Sequence, residues 1–236
     1  MNHVHAELHK FSPIYSIIRS PVTDKISTRN TMTAFNSPLI TWNQRFATDQ
    51  YIFGEAPNAY LHSQVAHLQA GSALAVADGE GRNGVWLAEQ GLAVDAFDFS
   101  ENAIQKARLL AERRMQSVQW HCSDWQSFNW KDSHYNNVVG IFFQFAAPLE
   151  RKALFAKMDA SLKSGGTLII QGYTAAQLQF NTGGPGKLAH MYDEPLMRDA
   201  FADYDIIDLQ TYEAQIDEGT AHNGMSGLLG LTARKR

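Results

Sequence analysis

The chain contains a single cysteine, Cys122, among its 236 residues. One thiol cannot form an internal disulfide, and it cannot supply the paired cysteines of a zinc ribbon. We therefore expect a cytoplasmic location and no thiolate metal site. His3, His5 and His9 offer metal ligands near the start, but solvated side chains are the commoner interpretation of such histidines, and we predict no metal.

Long apolar runs and a basic excess are also missing. No stretch approaches the ~18 apolar residues of a membrane-spanning helix, and the start lacks a secretion signal. Lys and Arg number 20 against 24 Asp and Glu, a net charge of −4, so binding to a phosphate backbone is not expected. Apolar residues reach 44%, enough for a packed core. The composition predicts one folded domain, no nucleic-acid partner and no membrane; it carries no signal for an oligomeric state.

Residues 1–36 differ from the rest of the chain. They hold eight Ser or Thr, four Lys or Arg and only two acids, without sustained periodicity. A flexible extension, a start at Met32 and a transit peptide are the alternatives, of which we favour the first two. We therefore predict a flexible N-terminal extension over 1–36 and a single domain over 37–236.

Apolar runs of strand length alternate with helical patterns from residue 73 onward. This alternation predicts an α/β fold of the Rossmann-like, doubly wound type, with a mostly parallel sheet covered on both faces. Two final runs, 205–216 and 224–233, predict an antiparallel hairpin joined by the polar stretch 217–223. The segments that alternate are 73–77, 82–90, 93–98, 101–114, 117–122, 137–145, 149–162 and 167–173.

Capping residues locate several helices. Asn58 is expected to cap a helix that presents Leu61, Val65 and Leu68 on one face and ends before Gly71. Ser100 is expected to cap a covering helix over 101–114, with Lys106 on its outer face, and Asp193 to cap a short helix near 195–201.

A glycine turn follows the first strand. Gly79, Gly81 and Gly84 form a GxGxxG pattern between strand and helix, where unpaired backbone N–H groups favour an anionic ligand group. Asp98 lies 19 residues after Gly79 at the end of the next strand, a position suited to the hydroxyls of a ribose. By pattern alone, a dinucleotide remains allowed.

Acidic residues in this turn favour a cationic cofactor. Asp78 and Glu80 would repel a pyrophosphate, whereas S-adenosylmethionine (SAM) offers an ammonium, a sulfonium and one carboxylate. The turn therefore favours SAM over NAD. Asp124, after the third strand, is interpreted equally well as a contact to adenine or as a turn cap.

The chain from about Trp42 to Arg236 resembles the class I SAM-dependent methyltransferases, in particular the tellurite-resistance and thiopurine methyltransferase-like branch. The residues that carry the resemblance are Trp42, Arg45, Phe46, Tyr51, Gly54, Glu55, Pro57, Asn58, 79–83, 85–89, 98–100, 163–166, Tyr173, Thr174, Gln177, Leu178, Phe180 and 182–185.

The resemblance implies a seven-stranded sheet with an antiparallel last strand and SAM across its carboxyl edge. The cofactor contacts it implies are Ala77, Asp78, Gly79, Gly81, Asp98, Phe99, Asp124 and Trp125. Ala75 stands where most members have an acid, and Asp78 supplies an acid nearby. The Asn/Asp-Pro-Pro-Tyr motif of base amino-methyltransferases is absent from 143–148, which disfavours DNA methylation.

Methyl transfer requires alignment and exclusion of water more than a fixed acid–base pair, so no catalytic residue is assigned. The candidates on the substrate side are Tyr173 with the loop 174–187, Arg82 and His222. His222 lies in the segment 218–224, which resembles a Glu-Gly…His…Gly pattern of this branch that begins at Glu218. Each candidate is also consistent with a structural role. Trp42, Tyr51 and Phe53 are candidates to cover the site, and Trp42 and Tyr51 are candidate cofactor contacts through an aromatic face near the sulfonium; core packing is the alternative.

These observations predict a SAM-dependent methyltransferase acting on a small molecule such as a thiol or a chalcogen or metalloid species. A non-catalytic SAM sensor, suggested by Ala75, and an NAD-dependent oxidoreductase are the alternatives.

Overall fold

A computed structural model describes residues 38–236. The predicted extension 1–36, with its three histidines, and the proposed start at Met32 lie outside these residues, so the boundary at residue 37 stays a prediction. Within the described part of the chain, no helix combines the length and the apolar character that crossing a bilayer requires.

Seven strands alternate with helices in the predicted order. The strands are β1 Ser72–Val76, β2 Ala93–Asp98, β3 Val118–Cys122, β4 Tyr135–Ile141, β5 Leu162–Tyr173, β6 Tyr204–Asp217 and β7 Asn223–Lys235. The helices are α1 Pro38–Arg45, α2 Ala59–Ser63, α3 Arg82–Glu89, α4 Glu101–Arg113, α5 Pro148–Ser161, α6 Gln177–Phe180 and α7 Glu194–Ala200. Short 3₁₀ turns occupy Val65–His67 and Leu188–His190.

The strands form one sheet in the order β3-β2-β1-β4-β5-β7-β6. Strands β1 to β5 pair in parallel, and β7 runs antiparallel to both β5 and β6. The predicted doubly wound fold, the antiparallel last strand and the final hairpin are confirmed. The direction of winding reverses between β1 and β4, and open α/β sheets bind ligands in the crevice at such a reversal.

Alternate residues of the central strands supply the core on the two faces of the sheet, as the period of two in a strand requires. On one face, Leu74 and Val76 belong to the cluster that α5 covers with Leu154 and Met158. On the other, Ala73 and Ala75 pack in the cluster of α2 and α3. Both faces of the parallel part are therefore buried, which explains its nearly continuous apolar segments.

The helix predicted after Asn58 is shorter than expected. Asn58 does cap it by accepting from the Leu61 amide at 3.0 Å, but α2 ends at Ser63 and Val65 is exposed. The backbone that follows forms the 3₁₀ turn Val65–His67. A hydrogen bond from β5 holds it there, since the Thr167 hydroxyl donates to the His67 carbonyl at 2.7 Å. The predicted caps Ser100 and Asp193 are confirmed.

Candidate active site

The glycine turn lies at the carboxyl end of β1, where the winding of the sheet reverses. Ala77 and Gly79 adopt positive φ angles of 49° and 56°. A Cβ built on Gly79 would meet only Phe46 Cζ, at 3.6 Å, so this glycine faces open space. A Cβ on Gly81 would come within 2.6 Å of Ala107 Cβ and 2.7 Å of Trp120. Gly79 therefore leaves room for a ligand, whereas Gly81 allows close packing of α3 on its neighbours.

Asp98 joins the end of β2 to the glycine turn. Its Oδ2 accepts from the Gly79 amide at 3.0 Å, and its Oδ1 accepts from the Ser100 amide at 2.9 Å. Burial raises the pKa of Asp98 to about 6, against the opposing effect of these hydrogen bonds. A carboxylate has about four lone-pair sites, more than its backbone partners occupy, so Asp98 can still accept a hydrogen bond from a ribose hydroxyl.

Asp78 lies beside the first turn of α3. Its Oδ2 accepts from the Gly84 amide at 2.8 Å, and a Cβ on Gly84 would approach that oxygen to 2.6 Å. Burial raises the pKa of Asp78 to about 7. The carboxylate is therefore positioned at the turn by backbone contacts, and its ionisation falls in the physiological range of pH.

Glu80, the second acid of the turn, has a structural partner. It forms a buried ion pair with Lys106 and also accepts from the Phe53 amide at 3.3 Å. The prediction that Lys106 lies on the outer face of its helix is wrong, because this ion pair draws it inward, where it is 9% exposed. With Glu80 neutralised, Asp78 and Asp98 are the acids of the turn region that remain to complement a cationic cofactor.

Asp124 acts as a turn cap at the end of β3. Its carboxylate accepts from the Gln126 and Ser127 amides, both at 2.8 Å, and these hydrogen bonds lower its pKa. Trp125 packs half-buried against the core, and Phe99 is half-buried beside Asp98. The adenine contact stays a prediction, as do the cofactor contacts of Phe99 and Trp125.

The two aromatic residues predicted to contact the cofactor differ in their surroundings. The Tyr51 hydroxyl donates to the Lys106 carbonyl at 2.7 Å, and Arg113 lies 5.1 Å from its ring, so this tyrosine packs on α4. Trp42 belongs to an aromatic group with Phe46 and Phe53, at ring distances of 5.6 and 6.1 Å. Since Phe46 also approaches Gly79, this group borders the crevice above the turn.

The structure brings Tyr173 and His222, two of the three substrate-side candidates, into one buried aromatic group. The His222 ring lies 4.4 Å from both Phe53 and Phe142 and 5.8 Å from Tyr173. Phe142 has a positive φ of 53° directly after β4, a costly conformation for a bulky residue. His222 Nδ1 and the Tyr173 hydroxyl are both buried without a hydrogen-bond partner.

Burial controls the ionisation of both unpartnered groups. It lowers the pKa of His222 to about 3, with the charge of Arg82 acting in the same direction, and it raises the pKa of Tyr173. Both side chains are therefore neutral near pH 7. Gly183 and Gly184, in the loop after β5, pack against Tyr173: a Cβ on Gly183 would lie 2.8 Å from its hydroxyl.

Arg82, the third candidate, is held in a buried ion pair. Its guanidinium donates to Glu218 at 2.6 Å, and Glu218 also accepts from the Asn58 side chain at 2.9 Å and the Ala59 amide at 3.0 Å. Burial would raise the pKa of Glu218, but Arg82 and these hydrogen bonds outweigh it and lower that pKa. Asn58 also donates to Gln171 at 2.6 Å. Arg82 is thus a structural cation that joins α3 to the β6–β7 connection.

Several residues of this region were not predicted from the sequence. Asn58 was predicted only as a cap, and Phe142 and Gln171 had no assigned role. Glu218 had a weak signal in the Glu-Gly pattern around it, but nothing local indicated its partner Arg82, which lies 136 positions away. For Phe142, the sequence shows no signal of the left-handed conformation.

Residues 73–166 match the model of a family described as a methyltransferase domain. The comparison with curated proteins gave no sequence match. A structure solved in work on conversion of a disulfide bond into a thioacetal group during echinomycin biosynthesis is similar, with a TM-score of 0.63 and 17% identity, covering 76% of this chain and 82% of that chain.

Two further solved structures are similar in fold. TehB from Haemophilus influenzae has a TM-score of 0.63 and 16% identity, covering 83% of this chain and 66% of that one. Magnesium protoporphyrin IX methyltransferase (ChlM) from Synechocystis PCC 6803, solved with bound SAM, has a TM-score of 0.57 and 17% identity, covering 86% and 93%.

Proposed function

We propose that this chain, whose residues 73–166 match a methyltransferase domain, is a class I SAM-dependent enzyme that methylates a small-molecule acceptor of soft nucleophilic character. The main observation in support of the proposal is that the protein encloses the region around Tyr173 and His222, which we call the acceptor side. The β6–β7 connection lies against the segment before α2, with the Ala221 amide donating to the Ile52 carbonyl at 2.9 Å. A Cβ on Gly219 would come within 2.4 Å of the Gly54 nitrogen. A site covered this closely suits a small acceptor better than a macromolecule.

The residues of the turn fit the cofactor. Gly79 leaves space where a side chain would block a ligand, and the buried Asp98 keeps hydrogen-bonding capacity next to it. We assign Asp98 to the ribose, Asp78 to the ammonium, and the backbone of 77–81 to the carboxylate, with Phe99, Asp124 and Trp125 toward the adenine. When bound, SAM supplies a methyl carbon that bonds to the acceptor's lone pair while the carbon–sulfur bond breaks and leaves its electrons on sulfur.

The acceptor side positions its ligand and excludes water. Phe53 and Phe142 flank His222, and the loop glycines cover Tyr173, so the reacting groups meet away from solvent. With its pKa near 3, His222 does not retain a proton near neutral pH. His222 is thus too weak a base to take the acceptor's proton inside the enclosed site, and the proton passes to bulk solvent as the methylated product leaves. This favours thiols and other soft nucleophiles that need little help from a base.

The test begins with binding of S-adenosylhomocysteine, measured by calorimetry, to the full chain and to Asp98→Asn. Losing a charged hydrogen-bond acceptor should weaken binding by about 1.5–3 kcal/mol. Asp132→Asn, at an exposed carboxylate in the loop before β4, is the matched control and should bind normally.

Turnover is then measured by mass spectrometry of methylated products with SAM and a panel of thiols, selenite and tellurite. Tight cofactor binding without any product would favour the SAM sensor. Protection against heat by NADH but not by S-adenosylhomocysteine would overturn the proposal in favour of the oxidoreductase.

A further inference from the structure

The two buried charges on the acceptor side, those of Arg82 and Glu218, cancel each other within the protein. The guanidinium of Arg82 donates to Glu218 at 2.6 Å, and both side chains are less than one-tenth exposed. Arg45, whose charge also reaches His222, stacks at 4.3 Å on the Trp42 ring at the exposed end of the aromatic group. An anionic ligand that approached Arg82 would also come close to the Glu218 carboxylate, which is hydrogen-bonded to Arg82. Like charges repel strongly where water is excluded.

Two hydrogen-bonding atoms beside this neutral pair lack partners. Tyr173 is 1% exposed and His222 is 8% exposed, yet neither the tyrosine hydroxyl nor His222 Nδ1 makes a hydrogen bond. Leaving a buried polar group unpaired costs about 1–3 kcal/mol, and proteins seldom retain such groups without a use. Their rings lie 5.8 Å apart, edge to face, so both groups belong to one small region.

Aromatic rings form the rest of this region. Phe142 stacks on Tyr173 at 4.6 Å and meets His222 edge-on at 4.4 Å, and Phe53 closes the other side of the imidazole at 4.4 Å. An apolar enclosure with two neutral polar atoms solvates an uncharged molecule well and a bare anion poorly.

We propose that the acceptor binds as an uncharged molecule, with a polar group that pairs with the Tyr173 hydroxyl and His222 Nδ1. The assignment rests on the proposed methyltransferase function and narrows it. Neutral thiols are accepted, and oxyanions such as selenite and tellurite are poor direct acceptors. Glu218 sets this preference by neutralising Arg82, and it is therefore a specificity-determining residue.

The experiment compares 2-mercaptoethanol with mercaptoacetate, which share a sulfur nucleophile and a similar size but differ by one negative charge. Binding of each to the complex with S-adenosylhomocysteine is measured by calorimetry, and methylation with SAM by mass spectrometry. We expect kcat/KM at least tenfold higher for the neutral thiol, with selenite lower still. Equal or better use of mercaptoacetate or selenite, or binding of neither thiol to a protein that binds S-adenosylhomocysteine, overturns the proposal.

Two variants test the assigned atoms. Tyr173→Phe removes the hydroxyl and keeps the ring, and should raise KM for 2-mercaptoethanol about 5–12-fold, the equivalent of one hydrogen bond, with binding of S-adenosylhomocysteine unchanged. Glu218→Gln leaves Arg82 with an uncharged partner and should shift the preference toward mercaptoacetate by at least fivefold. An unchanged KM in the first variant or an unchanged preference in a folded second variant contradicts the assignment. If the unmodified protein does not bind S-adenosylhomocysteine, that result instead refutes the proposed function.

Discussion

The buried imidazole of His222 makes the stability of the protein depend on pH in a defined direction. Burial lowers its pKa from 6.5 to about 3 in the folded protein. Between these two pKa values the imidazole binds a proton in the unfolded chain but not in the folded protein. The free energy of unfolding therefore rises as the pH rises through this window, and it falls as the pH falls below 6.5. Near pH 7.5 the two states bind equally few protons at this site, and the contribution is fully present.

The magnitude follows from the two pKa values. At pH 5.0 the unfolded imidazole is almost fully protonated and the folded one is not, which costs about 2 kcal/mol relative to pH 7.5. In a chain of this length the same free energy corresponds to a decrease of about 4–8 °C in Tm. The loss of stability should reach about 4 kcal/mol at pH 3.

The assay is urea denaturation at pH 7.5 and 5.0 of the unmodified protein and of His222→Gln. Other titrating groups affect the stability of both proteins equally, so the difference between the pH dependences of the two proteins isolates the effect of His222. On acidification, the free energy of unfolding of the variant should fall by about 2 kcal/mol less than that of the unmodified protein. His62→Gln, which changes an exposed imidazole on α2, should retain the pH dependence of the unmodified protein. The same loss on acidification with and without His222 would refute the assignment of a neutral buried imidazole.

Two further predictions concern packing around the glycine turn. Gly81→Ala should lower the free energy of unfolding by about 2–5 kcal/mol, because the added methyl group would overlap Ala107 and the residue has a φ of 88°. Gly91→Ala is the control: its φ is 82°, but no atom lies within 4 Å of the added methyl group, so it should cost only about 1–2 kcal/mol. Equal losses for the two variants in urea denaturation would contradict the packing role of Gly81. Lys106→Met should cost about 3–5 kcal/mol because it leaves the Glu80 carboxylate buried and unpaired; adding Glu80→Gln should restore much of this loss, and a double variant as unstable as the single one would contradict the ion pair.

The parallel part of the fold was predictable because each buried strand and covering helix carries its own periodicity. The length of the helix after Asn58 was not, since the backbone that follows Ser63 forms a 3₁₀ turn whose His67 carbonyl bonds to Thr167, 100 positions away. Helical periodicity likewise placed Lys106 in solvent because its position is polar in the pattern, while the acid that draws it inward lies in another element. Local patterns specify element type, whereas these deviations arise from tertiary contacts.

The same distinction applies to the candidate site. The glycine turn and Asp98 were predictable because a strand end, a turn and an acid at fixed spacing carry a physical signal. Tyr173 became a candidate because it ends a strand, and His222 because it lies in the connection of a predicted hairpin. Tyr51 shows the limit of sequence-based prediction. It lies in a segment rich in aromatic residues and packs on α4, and nothing in the neighbouring sequence indicates which way its ring faces.

The hydrogen bonds that tie the β6–β7 connection to the rest of the molecule have a consequence for the order of folding. The proposed cofactor side is joined by residues close in the sequence, such as Gly79 and Asp98, which are 19 positions apart. The proposed acceptor side depends on pairs 136 and 160 positions apart, Arg82 with Glu218 and Asn58 with Glu218. Closing long loops slows folding, and Glu218 lies between β6 and β7, far along the chain from both of its partners. We therefore expect a partly folded chain to form the region of the glycine turn first, and the region around Arg82 and Glu218 only when the β6–β7 hairpin has paired.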